Sequence, residues 1–469
     1  MRDEFQYADL HCHPNLKAFG HSFTSLRAPR SSLWYDKQPG LLPKLINLFT
    51  GITRVAQSNF TAMSRGGARI VYLSLYPFEK GFYDNIAGNG PLSAFLSDLI
   101  TGVGYKRLRS IQKNNNYFDD LVAEYDFIVN AKKNKAIDGN HQRFRLVASK
   151  NELLDCLASS DDIAVVLCIE GAHVFNSGLT QYGHAIDADE ILRNIQAVKD
   201  WTYSPFYITF AHNFYNDLCG HCESLQPIRW AVDQSEKINT GFTRIGRRAL
   251  HELLSDDNGP RVLIDIKHMS YQSRREYFDI IHRDYETNLP PTLVSHGAAT
   301  GLGDRSALLR KKEHIFDTSE INFYDWEIQN VGRASGLFAI QFDARRIARR
   351  DFVRKQLLSL SGPKAIKQSA WLVWQQMRHI AEILDKGEMR AWDITCLGSD
   401  YDGTIDPLPG VWTVASISKL EQELLNHINQ YLKNNCPLAP DNRNITPEEI
   451  LKKFFVDNIQ SYTTRHLNK

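Results

Sequence analysis

Residues 7–13 read Tyr7-Ala8-Asp9-Leu10-His11-Cys12-His13, a short apolar segment ending in two histidines one residue apart. On an extended backbone, side chains at i and i+2 point the same way, so His11 and His13 can chelate one ion while Cys12 points away from them. The same form recurs down the chain, an apolar run with His or a carboxylate at or just past its end. Later runs close on Ile169-Glu170-Gly171-Ala172-His173, Phe210-Ala211-His212-Asn213, Ile266-Lys267-His268, Val294-Ser295-His296 and Gly398-Ser399-Asp400.

Eight apolar runs, at 7–11, 69–76, 163–169, 206–211, 262–267, 292–295, 337–342 and 394–398, predict eight strands. Each is too apolar for a strand with one wet face, as expected of a parallel sheet covered by helices. Helical spacing appears between them, for example Ile191, Ile195 and Val198, or Ile245, Ala249 and Leu253, and 365–386 reads as a long helix. This alternation predicts a (β/α)8 TIM barrel, an α/β fold whose strand C-termini converge on one face, where active sites are built. Three stretches exceed a minimal barrel, 20–68, 81–150 and 343–363; they are read as helical insertions in a single domain over 1–469. Thr446-Pro447-Glu448-Glu449 is a capping box opening a helix over about 447–460, expected to pack on the barrel.

Convergence turns scattered residues into one cluster. Six of the sixteen histidines stand at or just beyond a strand end. His11 and His13 suit one ion, completed by Asp400; His268 and His296, on neighbouring strands, suit a second; Glu170 can bridge both through its two oxygens. Imidazole with carboxylate favours zinc over magnesium or calcium, so two divalent ions per chain, zinc foremost, are expected. A lone His-x-His or a lone His after a strand is more often structural, and Asp402-Gly403 alone reads as a turn. The joint pattern carries the reading.

Composition narrows the class. Lys plus Arg (55) nearly cancels Asp plus Glu (54), so no nucleic-acid or membrane footprint is expected. The charged N-terminus lacks the apolar core of a signal peptide, and the longest apolar stretch, 163–169, is far too short to span a bilayer. Seven cysteines argue against a disulfide framework and for a reducing, cytoplasmic setting. Cys219-Gly-His221-Cys222 reads as a loop with buried thiols, and Arg345-Arg346-Ile-Ala-Arg349-Arg350 as a solvated helix face. For His173, a role behind the ligands and a structural role stand level.

Together the motifs Ile169-Glu170-Gly171, Thr209-Phe210-Ala211-His212-Asn213, Gly241-Phe242-Thr243, Ile264-Asp265-Ile266-Lys267-His268-Met269-Ser270, Ser295-His296-Gly297-Ala298-Ala299 and Gly398-Ser399-Asp400-Tyr401-Asp402-Gly403 resemble the membrane (renal-type) dipeptidases, peptidase family M19 of the amidohydrolase superfamily. The resemblance runs from Tyr7 to about Gly403 and implies a barrel of the metal-dependent hydrolase type. It implies dipeptide hydrolysis by a hydroxide held between two metals. Glu170 would bridge the metals, His268 and His296 would ligate the second, and Asp400 would touch the first and act as catalytic base. His212 would stabilise the tetrahedral intermediate over the substrate, and Arg305 would clamp the substrate carboxylate. The implied partner is a small-molecule substrate, with a homodimer left open.

Two departures stand out. The family opens with His-x-Asp where this chain has His11-Cys12-His13, which makes the centre one unit more positive. The loop after His212, Phe214-Tyr-Asn-Asp-Leu-Cys-Gly-His-Cys222, also differs. Two alternatives therefore stay open: a related amidohydrolase acting on N-acyl amino acids, lactones or other amides, and a barrel that binds a ligand without catalysis.

Overall fold

The structure, a computed structural model, describes residues 5–37, 40, 46–47, 50, 52–83, 88–131, 143–226, 229, 232–307, 315–349, 353, 362–434 and 436–467. Nine strands run through the described residues: β1 (Tyr7–Cys12), β2 (Ala68–Leu75), β3 (Arg143–Leu146), β4 (Asp162–Glu170), β5 (Tyr207–Thr209), β6 (Leu263–Asp265), β7 (Leu293–Gly297), β8 (Leu337–Ile340) and β9 (Thr395–Leu397). All pairings are parallel, in the order β1-β2-β4-β5-β6-β7-β8-β9. Past β9 the chain returns to β1: Asp400 N–H donates to His11 O and His13 N–H to Tyr401 O, both at 2.9 Å. These bonds bring the two edges together, and the expected eight-stranded barrel is the observed one.

One strand was not foreseen. β3, the end of the 81–150 insertion, pairs with the N-terminal half of β4, while β5 pairs with β4 at Ile169 and Glu170. Its sequence, Arg-Phe-Arg-Leu, alternates charge with apolar side chains, and Arg143 and Arg145 reach the buried Asp162. Helices cover the outside, among them Ala188–Lys199, Arg244–Leu254, Tyr271–Asp284, Asp325–Arg333 and Pro363–Lys386. The C-terminal helical run from Pro447 to His466 starts at the expected capping box, with Thr446 and Glu449 bonding reciprocally. Its Ile459 and Tyr462 join the inner-barrel cluster of Ala8, Leu10, Ile70, Tyr72 and Leu263, and Tyr72 and Thr463 share a 2.7 Å hydroxyl contact. The run therefore plugs the end of the barrel opposite the histidines.

Two strands break the alternation where it matters. Ala8 and Leu10 face inward, so strict alternation would turn Cys12 in and the histidines out. The β1–β2 register slips between Asp9 and Cys12, where three residues match two on β2. The same slip occurs on β7 between Val294 and Gly297. A bulge bends a strand and re-aims its side chains. Here it aims His11 and His13 in and Cys12 out, the Cys12 thiol donating to Tyr72 O at 3.6 Å, and it aims His296 in. No helix among the described residues is long and apolar enough to cross a membrane.

Candidate metal centre

Both bulges leave an amide outside the strand ladder, and a buried carboxylate takes it. Asp9 accepts from His11 N–H (3.2 Å), from Ser399 N–H (2.8 Å) and from the Ser399 hydroxyl (2.5 Å). Asp265 accepts from Lys267 N–H and Ser295 N–H (3.0 Å each), from the Ser295 hydroxyl (2.5 Å) and from Thr209 (2.6 Å). The device is the same twice: an aspartate on one strand grips a serine on the next, and the residue after that serine is an expected ligand, Asp400 or His296.

The ligand atoms meet at Glu170. His11 Nε2 lies 3.2 Å from His13 Nε2 and 3.3 Å from Glu170 Oε1; His13 Nε2 lies 3.1 Å from Glu170 Oε2. Asp400 Oδ1 is 3.9 Å from both nitrogens. On the other side His268 Nε2 and His296 Nε2 are 3.4 Å apart, at 3.9 and 3.6 Å from Glu170 Oε1. Two nitrogens each about 2.05 Å from a tetrahedral zinc lie about 3.3 Å apart, so both pairs have the spacing of ligands to a shared ion. The structure thus gathers His11, His13, Glu170, His268, His296 and Asp400 at one point, all buried.

Hydrogen bonding fixes two tautomers. The Tyr207 hydroxyl donates to Leu10 O (2.8 Å), so at 2.9 Å it must accept from His11 Nδ1–H. Ser295 gives its proton to Asp265, so at 2.8 Å it accepts from His296 Nδ1–H. In both rings Nε2 is left bare and faces the cluster, the state a metal ligand requires. His13 Nδ1 and His268 Nδ1 are buried without a partner. Burial, above all, holds His11, His268 and His296 below the usual histidine range, which keeps them neutral. Burial acts to raise Glu170, but His212, His11 and His13 outweigh it and hold the carboxyl well below its ordinary value. Burial, then Glu170 and Asp343, push Asp400 up. His268 and Asp400 both adopt left-handed backbone, φ 65° and 58°, a strain of about 1–2 kcal/mol each for a residue with a Cβ.

His212 sits beside this cluster, its Nε2 3.5 Å from Glu170 Oε1 and its Nδ1 2.8 Å from Glu79 Oε2. Burial opposes its protonation, but Glu170 and Glu79 raise it to about 10. Glu79 also accepts from Tyr76 OH and Phe214 N–H. His173 Nε2–H donates to Pro77 O at 2.8 Å and its ring packs against Tyr76 and Tyr117, so it supports the loop that carries Glu79. Asp402 is more than a turn residue: its carboxylate takes Lys17 (2.7 Å), Gln57 N–H and Ser58 N–H, tying the first insertion to the barrel rim.

Above the cluster opens a cavity of about 300 Å³, lined by Glu170, His212, Asn213, His268, His296 and Asp400 at its floor. Arg305 is not among the residues that line this cavity: half exposed, it pairs with Glu320 at 3.2 Å and lies over Tyr271. One expectation is corrected here. The basic run is not a solvated face. Arg345 and Arg346 turn into the cavity, because the chain bends inward after β8 as the short helix Ala344–Ile347; Arg350 lies outside the described residues. Lys267, Arg346 and Glu79 escaped the sequence reading. A rule of listing every charged residue within a few positions of a strand end would have found Lys267 and Glu79. All seven cysteines are buried free thiols, and Cys222 donates to His268 O at 3.3 Å.

The buried His and carboxylate cluster stands at the strand C-termini, where parallel barrels build their sites, and this donor set suits a divalent metal. No model of a known protein family matches the chain. Among solved structures it is similar to a metallopeptidase from Rhodobacter sphaeroides liganded with a phosphinate mimic of the dipeptide L-Ala-D-Ala, at 14% identity and TM-score 0.59 over 99% of this chain and 100% of that one. It is also similar to dipeptidase AC, a metallopeptidase of family M19, at 15% identity and TM-score 0.58 over 100% of both chains. At such identities the likeness establishes the fold.

Proposed function

We propose that the protein is a metal-dependent hydrolase that cleaves short amides, dipeptides being the first candidates, at a centre of two divalent ions. The observation that supports this most is the pairing of bare donor nitrogens at 3.2 and 3.4 Å on the two sides of Glu170. His11, His13 and Asp400 would hold one ion, His268 and His296 the other, and Glu170 would reach both. Bound there, such ions supply Lewis acidity toward a carbonyl oxygen and lower the pKa of water. The chain's own groups do the rest. Asp400 accepts the proton of the attacking water and returns it to the leaving nitrogen. His212, fixed through Nδ1 by Glu79 and with Nε2 3.5 Å from Glu170 Oε1, is placed to donate from Nε2–H where negative charge develops on the carbonyl oxygen.

The test is metal content of the purified chain, measured beside hydrolysis of L,L and L,D dipeptides. About two zinc-like ions per chain, with turnover of a short amide, is the expected result. Ions without dipeptide turnover move the reaction to other amides, and no metal after reconstitution overturns the reading.

A further inference from the structure

Apolar side chains line much of the cavity, Leu225, Val232 and Ile321 among them, and two features stand out against them. One wall comes from the 76–111 segment over β2, where Phe78, Phe82, Leu96, Ile100 and Leu108 present apolar surface. Across the ring, Lys267 follows β6 and Arg346 follows β8. In the sheet order these strands are fifth and seventh where β2 is second, so they flank the position opposite it. The metal cluster lies on the floor between.

Lys267 and Arg346 are buried, at 1% and 7% exposure, yet neither forms an ion pair among the described residues. Among the described residues Lys267 Nζ has one hydrogen-bond partner, Ile321 O at 3.5 Å, with Asp400 and Asp265 acting on it from beyond ion-pair distance, and Arg346 donates to Ser224 O. Asp343 and Asp317 lie near Arg346 without pairing with it, and Asp343 is engaged by Arg345 through Nε and Nη2. Buried charge is costly without a partner, and two unpaired cations on one wall repel each other as well. An anion entering from the cavity would satisfy both. The opposite charge has no such reception. The cavity's carboxylates are Glu170 and Asp400, within the metal cluster, and Asp343, held by Arg345. Among the described lining residues a free α-ammonium, which every dipeptide carries, finds no carboxylate of its own.

We infer that the substrate is an N-acyl amino acid, its carboxylate held between Lys267 and Arg346 and its acyl group lying against the apolar wall over β2. This rests on the proposed reading of the cavity as a hydrolase's substrate site. Water is added across the amide: the acyl carbon gains the hydroxyl, the C–N bond breaks, and the nitrogen leaves with the proton as a free amino acid. A 300 Å³ cavity is at the small end for ligand sites of about 300–1,000 Å³, which suits a single short acyl chain.

Calorimetry with the full chain, as purified and after chelation, tests this without depending on turnover. The probes are N-octanoylglycine, N-octanoylglycinamide, N-acetylglycine and leucylglycine. N-octanoylglycine is expected to bind at least about tenfold more tightly than each of the others, since one charge-assisted contact, or burial of about two methylenes, is worth that much. K267M and R346M, apolar replacements of similar length, are expected to erase the preference for acid over amide. I100D, at a partly exposed wall position, is expected to erase the preference for octanoyl over acetyl. Melting temperatures within a few degrees of wild type identify variants that fold. Equal affinities for acid and amide, a preference that survives both cation variants, or tighter binding of leucylglycine would overturn the inference. Selective binding without hydrolysis of any probe by the metal-loaded protein would overturn the proposed function and the substrate assignment with it, whereas dipeptide turnover beside unselective binding would overturn this inference alone.

Discussion

Removing one hydroxyl should loosen the metal centre without touching a ligand. In Ser295→Ala the His296 Nδ1–H loses its 2.8 Å acceptor, and Asp265 loses its shortest donor while keeping Thr209 and two main-chain amides. Two consequences follow. Nothing then pins the His296 tautomer, so the ring is free to protonate at Nε2, the form that cannot bind metal. Loss of such an outer hydrogen bond typically lowers metal affinity about 10–100-fold. A buried carboxylate short of one donor also costs about 1–3 kcal/mol in the metal-free protein. The assay is competition against a chelator of known affinity, with metal read by mass spectrometry, alongside melting of the stripped protein. Ser399→Ala, which frees Asp9 beside Asp400 in the same way, should show a loss of the same order. Wild-type zinc affinity in both variants would refute the claim that these aspartate–serine grips hold the ligands in place.

Four further outcomes are expected. Asp400→Asn should cut turnover by about 10²–10⁴-fold while most metal stays bound, and undiminished turnover would remove it as the base. Glu79→Gln should lower kcat about tenfold with metal content unchanged, short of the ~100-fold or greater loss from removing His212 itself; an unaltered kcat would detach Glu79 from catalysis. His13→Asp should keep metal but narrow the preference for acid over neutral ligands in the calorimetric panel, and a wider preference would contradict the charge argument. Burial, then Arg465 and Arg261, depress His466 to about 4, so the unfolded chain takes up this proton first as pH falls. Its stabilising contribution is therefore present above about pH 6.5 and lost between there and 4. Melting curves at pH 5 and 7 should show a smaller pH effect in His466→Phe than in wild type.

The floor of the site was legible because it follows from where the chain leaves each strand. His11, Glu170, His268, His296 and Asp400 could be gathered on paper once eight strands were counted, since a barrel brings its strand ends together whatever joins them. The bulges at Leu10–His11 and Ser295–His296 were not legible. They depend on how β1 and β7 register with their neighbours, which the local pattern does not encode. β3 was missed because four residues, two of them arginine, carry too little apolar signal. Arg345 and Arg346 were misread for the opposite reason: a basic run is solvated on most helices, and only the inward bend after β8 makes it line a cavity. A count from His296 cannot say which way a loop folds, and Arg305 lies against Glu320 and Tyr271 instead of lining the cavity.

The departure at His13 and the unpaired cations point the same way. With two divalent ions bound, two carboxylates leave the centre two units positive, where an aspartate in place of His13 would leave one. For an anion about 8 Å away at an effective dielectric of about 20, that extra unit is worth about 2 kcal/mol. Lys267 and Arg346 add positive charge on the wall that a substrate anion would face, and Arg345 cancels the one lining carboxylate outside the cluster. A free amine entering this chamber meets repulsion from floor and wall alike, while an acid meets attraction from both. On the proposed reading, charge selection and the metal centre would be parts of one field, and His13 would bear on the substrate as well as on the ligand set.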